Sequence, residues 1–113
     1  MLNYFLEERA PVWIVRFDGD LSGQDDKDLR KLFVSLVQDG KTNIVADLSK
    51  VTFLDSIILG TLVWGMKNLR ESGGDFRMSG LHDFVRRLFD ITQLDRAFRL
   101  FETEDEAIQS YGS

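Results

Sequence analysis

The stretch from Val45 to Gly60 limits the fold more than any other part of the sequence. Ile44, Val45 and Ala46 form a short apolar run that ends in Asp47, the pattern of a parallel strand buried on both faces. From Ile57 to Leu69 the period changes, and Ile58, Leu62, Met66 and Leu69 fall along one helical stripe. Asp55 and Ser56 stand where that helix must begin. Both are good N-caps, because a short side-chain oxygen accepts from backbone N–H groups that have no partner inside the helix. A strand, a short loop and a helix in this order present the Ser56 hydroxyl at a helix N-terminus, beside a carboxylate.

The other elements fall on either side of this one. Asn3 to Glu8 reads as a short strand, Arg9-Ala10-Pro11 as a turn, and Val12-Trp13-Ile14-Val15-Arg16-Phe17 as a strong β-branched and aromatic strand, so the two strands form an antiparallel hairpin. Asp18 to Gly23 is a polar loop. Leu29, Leu32, Phe33, Leu36 and Val37 follow helical spacing up to Gly40, which stops the helix. Beyond Gly73-Gly74, the alternation of Phe76 and Met78 within Asp75–Ser79 predicts a strand. Phe84, Val85, Leu88 and Phe89 predict a third helical stripe, and Ala97 to Phe101 a last strand at a sheet edge. Thr103-Glu104-Asp105-Glu106 is a capping box for a final helix that turns Ala107, Ile108 and Tyr111 inward. Strands alternating with helices give an α/β domain with a mostly parallel mixed sheet of about five strands and about four helices.

The chain has 113 residues, which predicts one domain over 1–113, with a real core but little room for a deep enzymatic cleft. A net charge of −5 argues against nucleic acid or an anionic membrane surface as the main partner. No cysteine is present, which excludes disulfides, thiolate metal sites and a cysteine nucleophile. No run is long and apolar enough to insert into a bilayer, and Met1-Leu2-Asn3-Tyr4 lacks the basic and apolar regions of a signal peptide, so a cytoplasmic protein is the expectation.

Few residues suggest chemistry. Asp18, Asp20, Asp47 and Asp55 would suit a phosphoacceptor cluster of the response-regulator kind, but the last strand does not end in the lysine such a receiver uses. His82, the single histidine, falls at the start of the third helix, where a solvated polar residue is the ordinary occupant. One histidine assembles no nucleophilic triad, and the glycines form no phosphate-binding loop, so neither an enzyme nor a cofactor or metal site is expected. On the second helix Ile57, Thr61, Trp64 and Asn68 share a face opposite the Leu62–Met66–Leu69 stripe. With that stripe on the sheet, Ile57 and Trp64 would form an exposed apolar patch beside Ser56, suited to a partner or to a homodimer.

The segment Asp47-Leu48-Ser49-Lys50-Val51-Thr52-Phe53-Leu54-Asp55-Ser56 resembles the signature of STAS domains of the anti-sigma-factor-antagonist type. The resemblance extends to the Gly19-Asp20-Leu21 turn, to the Gly73-Gly74 link, and to Val85 through Asp95 with Phe98, Phe101 and Glu106-Ala107. It departs from the family in two places. Ile57-Ile58 replaces small residues after the serine, and Ser22 stands where the family often has an aspartate.

The resemblance implies a regulatory binding module. Such a protein binds an anti-sigma factor that is also a serine kinase and supplies its own Mg–ATP, and phosphorylation of Ser56 switches the complex off. A PP2C-type phosphatase would restore it. Asp20, Ser22, Asp55, Ser56, Ile57, Thr61 and Trp64 are the expected contact residues. The alternative within the same family is a subunit docked on the ATPase of a lipid-transport ABC complex, for which an apolar Ile57-Ile58 helix start would suit permanent contact.

Overall fold

The computed structural model of the chain describes residues 1–112. In chain order the elements are β1 (Tyr4–Arg9), β2 (Val12–Asp18), α1 (Asp26–Gln38), β3 (Asn43–Lys50), α2 (Ser56–Glu71), β4 (Asp75–Ser79), α3 (Asp83–Ile91), β5 (Leu100–Phe101) and α4 (Glu104–Ser110). Single 3-10 turns at Gly23–Asp25 and Leu94–Arg96 lead into α1 and towards β5. The five strands lie side by side in sequence order. β1 is antiparallel to β2, and all other pairs are parallel.

The two-residue period of the strands divides the sheet into two faces. Val15 and Phe17 of β2, Ile44, Ala46 and Leu48 of β3, and Phe76 and Met78 of β4 join one large core with the apolar stripes of α1, α2 and α3. The alternate residues Val12, Ile14 and Val45 meet Ala107 of α4, with Phe101, Ile108 and Tyr111 around them. The Tyr111 hydroxyl donates to the main-chain carbonyls of Ile44 and Asp75, tying α4 across β3 and β4. Arg16 adds a polar clamp to the same face. Its guanidinium binds both carboxylate oxygens of Glu104, at 2.9 and 2.8 Å, and one oxygen of Glu7, at 2.7 Å. Hydrogen bonds to these carboxylates, Glu104 first and then Glu7, raise the Arg16 pKa above its ordinary value.

The expected architecture is present, with shifted boundaries. The hairpin loop is two residues, Ala10 and Pro11, with Arg9 paired to Val12. β3 runs on past Asp47 to Lys50. The last strand is much shorter than Ala97–Phe101. The amides of Ala97 and Phe98 turn back to the Leu94 carbonyl at 2.9 and 3.0 Å, so neither enters the ladder, and Phe98 is buried against Phe76 and Phe89 instead.

Candidate partner-binding site

The loops that follow β2, β3 and β4 meet at one end of the sheet. Short bonds lock the first two together. Gly19 N–H donates to Lys50 O and Leu21 N–H to Phe53 O, each at 3.1 Å. Asp20 Oδ1 accepts from Thr52 Oγ1 and from the amides of Thr52 and Phe53, at 2.9 to 3.0 Å. The Thr52 hydroxyl, followed by these amides, holds the Asp20 carboxyl below its usual range. From the third loop, His82 Nε2 donates to Ser49 O at 2.6 Å, so His82 is a structural tie at the start of α3.

The start of α2 projects from this braced platform. Asp55 is the cap: Oδ1 accepts from Ile58 N–H at 3.0 Å, and Oδ2 from Gly23 N–H at 2.7 Å. Gly23 leaves room for the Ile57 side chain, whose Cδ1 would lie 2.8 Å from a Cβ there. With Asp55 capping, Ser56 is relieved of that task. It is the first residue of the helix and is exposed, and its hydroxyl has no hydrogen bond among the described residues. Ser22, half-buried, holds the loop facing it through a 3.0 Å bond from its amide to Asp25 Oδ2.

Exposed apolar groups flank Ser56. Ile57 is 55 % exposed, and Phe53 and Phe84, 43 % and 48 % exposed, stack at 5.6 Å with rings 19° from parallel. Sequence reasoning missed this pair. Phe84 was expected in the buried stripe of α3, yet it sits in the first turn, and consecutive helical residues point about 100° apart. Val85 and Phe89 occupy the buried side, so adjacent Phe84 faces outward. The adjacency of two large apolar residues at a helix start is the signal that could have revealed it.

Two expected contact residues lie elsewhere. Thr61 is 0 % exposed and donates its hydroxyl to Asp26 Oδ1, so it cannot touch a partner. Trp64 is half-buried two turns along the helix, edge-on to Phe33 at 6.3 Å and beneath the Arg30 guanidinium at 5.1 Å. The physical reason is shared: α1 crosses the face that was expected to be free. Gly65 permits that crossing, since a Cβ there would lie 2.3 Å from the Phe33 ring.

The acidic residues do not converge. Asp20 and Asp55 brace loops on the α2 side, whereas Asp47 faces the α4 side and accepts from Ser49 N–H at 2.8 Å. Among the described residues no group of three or more histidines or carboxylates is placed to hold a metal ion, and no helix is long and apolar enough to cross a membrane.

A STAS domain family model matches residues 4–107. The chain belongs to the STAS family. The anti-sigma-B factor antagonist of Staphylococcus aureus is 31 % identical over 93 residues, spanning 82 % of this chain and 86 % of that protein. The crystal structure of an anti-sigma factor antagonist from Mycobacterium paratuberculosis superposes with a TM-score of 0.89 at 26 % identity, over 100 % of this STAS domain and 96 % of its counterpart. The Bacillus protein SpoIIAA in its phosphorylated form shares the fold, with a TM-score of 0.74 at 22 % identity over 96 % and 99 % of the two chains. These relatives are regulators, and this STAS domain is a regulatory protein, not an enzyme.

Proposed function

We propose that this STAS domain is an anti-sigma factor antagonist that binds an anti-sigma factor through the surface around Ser56, and that the partner, a serine kinase, ends the interaction by phosphorylating Ser56. One observation carries the reading: an unengaged serine hydroxyl at the exposed start of α2, with Ile57 beside it and Asp55 fixed at its back. Ser22, Asp55, Ser56 and Ile57, with the Phe53–Phe84 pair, make the contact surface. Asp20 acts from behind by setting the loop. The partner brings Mg–ATP, and a PP2C-type phosphatase resets the switch.

The switch is electrostatic. Phosphorylation adds roughly −1.5 to −2 charges. The fold tolerates them, because the first amides of α2 and the helix dipole favour an anion. A partner surface matched to a neutral serine and an isoleucine meets a dianion instead. Like-charge contact and desolvation there cost several kcal/mol, and each ~1.4 kcal/mol is tenfold in affinity.

The test is capture from native lysate with wild type, Ser56→Ala and Ser56→Asp as baits. An ATP-binding kinase held by the first two and released by Ser56→Asp is the expected result. A transporter ATPase held equally by all three would overturn it and establish the ABC-complex reading, for which exposed Ile57 speaks. Kinase-dependent labelling should vanish in Ser56→Ala.

A further inference from the structure

A second surface lies away from Ser56. Where α1 crosses α2, Phe33, Val34, Val37, Gln38, Trp64 and Asn68 line an open, mainly apolar hollow of about 280 Å³. A shallower hollow adjoins it along α1, sharing Val34 and Gln38 and bordered by Lys27, Arg30 and Lys31. Together they form one depression from Lys27 to Gln38, about 16 Å along the helix axis at 1.5 Å per residue. Val34, 43 % exposed, sits in the middle.

The charge on this depression opposes that of the molecule. The chain carries −5 overall, yet three cations and no carboxylate line these two hollows. Asp28, on the same helix, lines a different hollow with Leu2 and Tyr4, which Lys31, Leu32 and Ser35 also border. Arg30 is paired to Asp26 at 2.9 Å and stacked on Trp64. Lys27 and Lys31 have no ion pair among the described residues, and as like charges at i and i+4 they disfavour their own helix. An anionic occupant would relieve that repulsion.

The shape specifies the occupant further. The lining is side chains of two helices whose backbone bonds are satisfied internally, so an extended segment would find no ladder to join. A helix brings its own backbone bonds and needs only apolar side chains for the hollow and carboxylates for the rim. We infer that the α1–α2 groove docks an acidic amphipathic helix of a partner protein, about three turns long, with apolar side chains over Val34 and Trp64 and carboxylates against Lys27 and Lys31. Trp64 is eight positions beyond Ser56, roughly 12 Å along α2, so the apolar part of this groove lies apart from the phosphorylation site.

The probe is a capped 14-residue helical peptide with Leu at i, i+3, i+4 and i+7 and Glu on the flanks, titrated into the full chain. The indole N–H resonance of Trp64 reports binding, and that of Trp13, covered by Lys41 at 4.3 Å, is the control. Trp64 should move and Trp13 should not. Lys27→Glu with Lys31→Glu should weaken binding at least ~10-fold, added salt should weaken it further, and Ser56→Asp should bind like wild type. Both lysines are exposed, so an unchanged melting temperature verifies that the double variant folds. No movement at millimolar peptide, equal binding of a Lys-flanked peptide, or undiminished binding by the double variant overturns the inference. A Trp64 response to phosphatidylglycerol vesicles without a response to the peptide overturns it in favour of a lipid surface.

Discussion

Asp26 and Asp55 show how single carboxylates set the site. Asp55 spends one oxygen on the α2 cap and the other on Gly23, so the helix start is tied to the loop between β2 and α1. Asp26 joins α1 to α2 through Thr61 and to Arg30 in its own helix. The Thr61 hydroxyl, more than Arg30, draws the Asp26 carboxyl below its ordinary range. Thr61→Val keeps the side-chain shape and removes that donor. Water and Arg30 still reach Asp26, so the loss should fall near the lower end of the cost of an unpaired polar group, about 1 kcal/mol by urea unfolding. Titration of Asp26 by NMR should show its pKa rising in the variant. An unchanged pKa would mean that the hydroxyl does not serve the carboxylate.

The helix α2 carries two glycines with opposite roles. Ala is favoured over Gly by about 1 kcal/mol in a helix interior. At Gly60 nothing lies within 4 Å of a new Cβ, so Gly60→Ala should stabilise by up to about that amount. At Gly65 the Phe33 ring is in the way, and overpacking costs about 1–3 kcal/mol, so the same change should destabilise. Thermal melting of both variants reads the signs directly. If Gly65→Ala also stabilised, the close approach of α1 and α2 would be refuted. The same crossing explains what could be read from the sequence. Periodicity placed the first three helices and the buried stripe Ile58–Leu62–Met66–Leu69, because a stripe depends only on local spacing, and a capping box, equally local, placed α4. Which other face of α2 stays bare depends on α1, some thirty residues earlier, and no local pattern states it. Thr61 and Trp64 were therefore expected outside, and Phe84 inside, whereas Asp55, Ser56 and Ile57 were correctly located at the helix start, where capping is local.

For the molecule as a whole, acid should act through a few braced carboxylates. Burial pushes the Asp75 carboxyl upward. Arg70 at 2.7 Å and Arg77 at 3.0 Å, with the Phe76 amide, outweigh it, and the net shift is downward. A carboxyl depressed in the folded state favours folding above its unfolded pKa of about 3.9. That contribution falls away as pH drops through the lower folded value. Asp20 and Asp26 are shifted in the same direction. Stability should therefore be level from neutral pH to about 5 and decline below about 4. Asp75→Asn should flatten that decline, as measured by urea unfolding at stepped pH. A decline beginning near pH 6 would mean that groups other than these carboxylates govern the loss.

The spatial order of the strands, identical to their order in the chain, has a consequence for synthesis on the ribosome. Each strand can join its neighbour as it emerges, and α1, α2 and α3 can cover one face of the growing sheet as they form. The opposite face has to wait. Val12, Ile14 and Val45 are covered by α4, the final element, of only seven residues. A released chain truncated after Glu102 would thus hold all five strands with one apolar side of the sheet open. In chain order this face is the last to be covered, and its closure rests on one short helix.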